Sequence, residues 1–109
     1  MRTLRFIVEG QRIRPDPDCD FSGLVPGSNG YLWAEFSFSS EWKNTSKVAA
    51  FWSAMGKEYQ PQALIGGKTC RIPAEALEKK IFKIQVMGKS PDTKLITNKV
   101  VINQNGDKS

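Results

Sequence analysis

The 109-residue chain carries 16 Lys and Arg against 11 Asp and Glu, three Trp, two Cys and no His, and is 39% hydrophobic. That is room for one domain around one core; no apolar run approaches the ~20 residues that cross a bilayer. The basic start at Arg2 leads into an apolar run broken by Arg5 and Glu9, which is no signal peptide, so a soluble protein kept inside the producing cell is expected.

Hydrophobicity alternates with a period of two along most of the chain, the signature of half-buried strands. Leu4, Phe6 and Val8 share one face of a first strand that Gly10 closes, and Gln11 to Arg14 extend the pairing briefly. Pro15-Asp16-Pro17-Asp18 then forbids a regular ladder, because two prolines fix φ and remove donors. Residues 15–30 form one long irregular segment, anchored to the core by Phe21 and Leu24. Tyr31 to Phe38 is the clearest strand, with Leu32, Ala34, Phe36 and Phe38 on one face and Tyr31, Trp33, Glu35 and Ser37 on the other. Ser39-Ser40-Glu41 begins a helical turn that folds Trp42 over the core. Strands follow at Lys47–Ser53 and Glu58–Leu64, and Ile65-Gly66-Gly67-Lys68 is a hairpin leading into Thr69–Ile72. Pro73 followed by Ala, Glu, Ala and Leu77 suits one or two helical turns near 73–78. Ile81 to Met87 alternates again, with Phe82, Ile84 and Val86 facing inward, and Gly88 to Asp92 reads as a turn. Leu95–Thr97 and Lys99–Asn103 complete the sheet. Gln104 onward is a polar tail, so residues 1–104 are expected to be one domain and 105–109 a flexible end.

Seven or eight short strands separated by turns about every 8–12 residues predict an all-β fold, a two-layer antiparallel β-sandwich with one short helical crossover.

The sequence offers little chemistry. General acid–base work at neutral pH most often uses His, and there is none. Asp16, Asp18 and Asp20 lack the glycine and distal glutamate of a calcium loop and read as a solvated turn. Gly66-Gly67-Lys68-Thr69 lacks the earlier glycine and following helix of a phosphate loop. Cys19 and Cys70 belong to no Cys-x-x-Cys pair; a disulfide between them stays open, although an intracellular origin argues against it, and Cys70 suits a small buried side chain. No catalytic residue, metal or cofactor is expected. The formal net charge of +5 is spread, with acids beside both Arg12/Arg14 and Lys79/Lys80/Lys83, which argues against a nucleic-acid surface.

The aromatic residues point two ways. Tyr31 and Trp33 lie opposite the Phe36/Phe38 face, so they either pack across strands or form an exposed patch that docks a partner. Trp52, Tyr59 and Met87 would extend such a patch.

Several of these signals occur together. Leu4 to Gln11 is followed by Phe36-Ser37-Phe38-Ser39-Ser40-Glu41-Trp42 and Lys47-Val48-Ala49-Ala50-Phe51. Cys70-Arg71-Ile72-Pro73-Ala74-Glu75-Ala76-Leu77, Ile84 to Gly88 and Thr97-Asn98-Lys99-Val100 complete the series. The series resembles small immunoglobulin-like β-sandwich proteins and modules of phages and prophages of Gram-positive bacteria; residues 14–30 are longer and richer in proline than is usual there. The resemblance implies an immunoglobulin-like sandwich and a virion component of the tail, baseplate or head-decoration type, made in the host cytoplasm and carried in the particle. Trp42 would cap the sandwich, Pro73 would start the crossover between sheets, and Thr97-Asn98 would form a side-chain–backbone turn before the last strand. The partners implied are proteins, either other virion components or further copies of the chain. Two other function classes stand beside this one. One is a small phage-encoded inhibitor that binds a host defence protein; the other is a carbohydrate-binding adsorption module that stacks sugars on Trp33, Tyr31 or Trp52.

Overall fold

A computed structural model describes residues 1–105 as two packed sheets. The strands are β1 (Arg2–Glu9), β2 (Arg12–Pro15), β3 (Leu32–Phe38), β4 (Ser46–Ser53), β5 (Gln62–Ala63), β6 (Thr69–Arg71), β7 (Ile81–Lys89), β8 (Lys94–Ile96) and β9 (Val100–Asn103). The first sheet runs β2-β1-β3-β6. The second runs β5-β4-β7, with both β8 and β9 along the far side of β7. The fold is an all-β sandwich. Its inner faces are the alternating positions read from sequence: Leu4, Phe6 and Val8 from β1, Leu32, Ala34 and Phe36 from β3, and Ala49 and Phe51 from β4. Phe82, Ile84 and Val86 from β7 complete them, all essentially without solvent exposure. Cys70, Pro73 and Leu77 are buried beside them. Residues 106–109, most of the expected flexible end, lie outside the described residues.

The chain changes sheets between β3 and β4, returns between β5 and β6, and crosses again between β6 and β7, so β3–β6 and β4–β7 form interlocked antiparallel pairs. The sheets are not wholly antiparallel, however: β1 and β3 run parallel, from Arg2 opposite Leu32 to Val8 opposite Phe38. A parallel pair needs a long return crossover, and residues 16–31 supply it. They carry the chain from the end of β2 around the lower end of β1. Leu24 is buried in the core, Phe21 meets Phe6 edge-on at 5.5 Å, and the Arg2 guanidinium donates to the carbonyls of Asp20 and Ser22 at 2.8 and 2.7 Å.

The opposite pole is built around Trp42 on the 3₁₀ turn Ser40–Trp42. Its Nε1–H donates to the Gly10 carbonyl at 2.7 Å, and its ring packs 5.1 Å from the half-buried Phe38. The Gly10 amide donates to Ser39 Oγ, whose hydroxyl donates to Glu41 Oε1 at 2.6 Å. That hydroxyl holds the Glu41 carboxyl below its ordinary range. Gly88, read from sequence as the start of a turn, lies inside β7. The strand continues to Lys89 because it pairs there with β4 and β8, and the glycine makes room for the Trp42 indole, which a Cβ at 88 would strike.

Two further boundaries differ from the sequence reading. Of Glu58–Leu64, only Gln62–Ala63 pairs as a strand, plus an isolated bridge from Glu58 to Trp52, because Pro61 interrupts the ladder. Gln104 is no frayed end. It is fully buried, its backbone amide donates to the Lys80 carbonyl, and its side-chain amide donates to the carbonyls of Leu77 and Lys79. The carbonyl of Leu77, last residue of the helix α1 (Ala74–Leu77), thereby gains a partner that the helix itself does not supply.

Candidate functional site

The five aromatic and apolar residues expected to form a patch do not share a surface. Trp33 stands on the outer face of the first sheet with Tyr31 at the head of its strand, whereas Trp52 and Met87 stand on the outer face of the second. Tyr59 is buried: the bridge at Glu58 turns the next side chain inward, into the core cluster. Alternation assigns parity within a strand but cannot say which sheet a strand joins, and the chain changes sheets between Trp33 and Trp52.

The two outer faces differ in chemistry. On the first sheet the charges are arginines, two of them paired with glutamates. Arg5 pairs with Glu35 at 3.6 Å, Arg14 with Glu9 at 3.4 Å, and the Arg71 guanidinium lies 5.6 Å from the centre of the Trp33 ring. These are surface pairs and contribute little stability; Arg12 and Arg71 on the same face make no ion pair among the described residues.

The second sheet presents Val48, Ala50 and Trp52 from β4 and Lys83, Gln85, Met87 and Lys89 from β7, side by side in register. Beyond β7, Ile96 lies opposite Met87, Lys94 opposite Lys89, and Val101 opposite Lys83. Val101 is 54% exposed, while Ala50 is fully covered by its larger neighbours. The centre of this face is therefore apolar. Lys83, Lys89, Lys94 and Lys99 surround it, and Glu58 lies at the edge beside Trp52. None of the four lysines makes an ion pair among the described residues, where only the two arginine pairs occur.

Trp52 is the unusual member. Lys99 Nζ sits 3.7 Å from the centre of its ring, a cation–π contact. Its Nε1–H is buried without an acceptor, unlike that of Trp42. Composition cannot show an unpaired donor, so sequence alone gave no hint of this.

The backbone edges are poor docking templates. On one seam the Asn98 side chain imitates a strand. Its Oδ1 accepts from the Ile13 amide at 2.8 Å and its Nδ2 donates to the Ile13 carbonyl at 3.2 Å. The expected local turn at Thr97-Asn98 is thus a bridge between sheets. Thr97 itself bonds back to β7, its Oγ1 accepting from the Val86 amide. The other seam is closed by the Ile65–Lys68 hairpin between β5 and β6.

The groups considered for chemistry are dispersed. Cys19 and Cys70 are both free thiols, and burial pushes Cys70 up to about 12, which leaves it inert as a nucleophile at neutral pH. Asp16 and Asp20 accept from the amides of Asp18 and Ser22, closing local turns. The Ser22 hydroxyl and amide lower the Asp20 carboxyl. Among the described residues no group of three or more His, Cys, Asp or Glu could hold a metal ion, and no helix is long and apolar enough to cross a membrane.

Comparison with known proteins finds no matching family model, no matching curated protein and no matching solved structure.

Proposed function

We propose that this chain is a structural or accessory module of a phage or prophage virion, at the tail, baseplate or capsid surface, and that it works by protein–protein contact. The motif series from Leu4 to Val100 motivates the virion assignment. The observation that carries the contact assignment is the outer face of the second sheet, an apolar centre ringed by unpaired lysines on a stiff scaffold. Exposed apolar surface with a polar rim marks interaction sites. With its seams bridged by side chains, the sandwich favours docking through a face over strand addition. The carbohydrate reading is weakened at Trp52, where Lys99 already covers a ring face that a sugar would need.

Mass spectrometry of particles purified from the phage or induced prophage that encodes the chain tests the assignment. Its peptides are expected in the particles at a fixed ratio to the other virion proteins. Absence from washed particles, with the protein abundant in the infected cell, overturns the virion role and favours the inhibitor of a host protein.

A further inference from the structure

A face of this kind has a particular complement. We propose that the outer face of the second sheet binds an acidic protein surface with an apolar centre, anchored on Trp52. This rests on the contact reading above and adds the chemistry of the partner.

The charge pattern selects among occupants. A second copy placed on the same face would set Lys83, Lys89, Lys94 and Lys99 against themselves, and like charges opposed across an interface disfavour it. Nucleic acid would satisfy the lysines but not the centre. Val48, Met87, Ile96 and Val101 offer bases no hydrogen bonds, and the single indole on the face is covered by Lys99. A protein surface with carboxylates around aliphatic or aromatic side chains satisfies both. A partner carboxylate that pairs with Lys99 draws the ammonium off the ring. The partner's apolar groups then cap the indole, and a carbonyl or carboxylate oxygen accepts from Nε1, which lacks an acceptor in the free protein.

Size indicates where the contact extends. Four strands about 4.8 Å apart and eight residues at about 3.3 Å each make a face of roughly 500 Å² in projection, against about 800 Å² per partner in a stable complex. Ile81 belongs to this face and also lines a groove of about 670 Å³ at its lower end, where Met55 is 95% exposed. Glu75 and Glu78 also line the groove and repel the partner's acids there, so the partner contributes an apolar side chain between Met55 and Ile81.

The test is an NMR titration of the full chain with three probes of equal negative charge. These are a Glu/Asp-rich peptide with a central Leu-Phe-Leu, the same peptide with those three replaced by Ser, and a single-stranded DNA oligonucleotide. The apolar acidic peptide is expected to bind at least tenfold tighter than the other two and to shift β4, β7 and β9 amides together with the Trp52 indole. Lys99→Glu, an exposed change that leaves the fold intact, and Trp52→Ala should each weaken it at least tenfold. Tightest binding by the oligonucleotide overturns the proposal in favour of nucleic acid. Concentration-dependent dimerisation through this face overturns it in favour of a second copy, and shifts confined to the arginine face of the first sheet, or none on the second, overturn it outright. The two readings fail separately: a protein absent from particles that still binds this way loses only the virion role, and a particle protein without this binding loses only the acidic partner.

Discussion

Gly88 and Trp42 show how one missing side chain sets a pole of the molecule. A Cβ at 88 would lie 2.7 Å from Cε3 and Cζ3 of the indole and 3.0 Å from Thr45 Oγ1. The indole cannot retreat, because its nitrogen is tied to the Gly10 carbonyl and its ring packs on Phe38. Gly88→Ala should therefore destabilise by roughly 2–3 kcal/mol, as overpacking of a rigid core does; an unchanged urea midpoint would show that the corner is softer than its hydrogen bonds imply. Cys70 makes a different prediction, about pH. Burial raises its thiol from 9.0 to about 12, so the folded state holds the proton more tightly than the unfolded chain. The resulting stability is fully present below pH 9 and is lost as pH climbs toward 12. Urea midpoints measured at pH 8 and 10.5 should fall further in the wild type than in Cys70→Ala, since lysine titration is common to both proteins. Parallel falls would remove the thiol from the alkaline limb.

Between elements, the joints are made by side chains that a strand-by-strand reading overlooks. Asn98 supplies both a donor and an acceptor to Ile13, 85 positions away in sequence, and so does the work of a peptide group on an otherwise open edge. Asn98→Ala removes both bonds and leaves the Ile13 amide without its partner. The expected cost is about 1–2 kcal/mol, with hydrogen exchange at the Ile13 amide accelerating more than at its β1 neighbours. Uniform exchange across β1 and β2 would mean that the seam is held by packing alone. Gln104 plays a comparable part at the lower pole. Its polarity and terminal position read as a frayed end because nothing local shows that the carbonyls of Leu77 and Lys79 need a donor. The strand faces were legible for the opposite reason. Leu4, Phe6, Phe36, Phe51, Ile84 and Val86 announce their burial through a period of two that depends only on their immediate neighbours.

At the scale of the whole molecule, the parallel β1–β3 pair and the split of the aromatic candidates have one cause. Sequence periodicity carries strand parity but not sheet membership, and both features follow from where the chain crosses. Residues 15–30 read from sequence only as one long irregular segment; its length is what a parallel return demands, with Phe21 and Leu24 plugging the open end on the way. The same crossings partition the charge. Arg5, Arg12, Arg14 and Arg71 fall on the outer face of the first sheet beside Glu9 and Glu35, while Lys83, Lys89, Lys94 and Lys99 fall on that of the second, with Glu58 at its edge. With the poles plugged and the seams bridged, the backbone has little left to order on binding, and the remaining ordering falls on flexible lysine stems around Trp52. Such rim charges act mainly by speeding encounter and excluding wrong partners, whereas residence depends on the buried anchor. Specificity and affinity on this face therefore reside in different residues, the lysines and Trp52, with Lys99 belonging to both because it covers the ring that its partner must uncover.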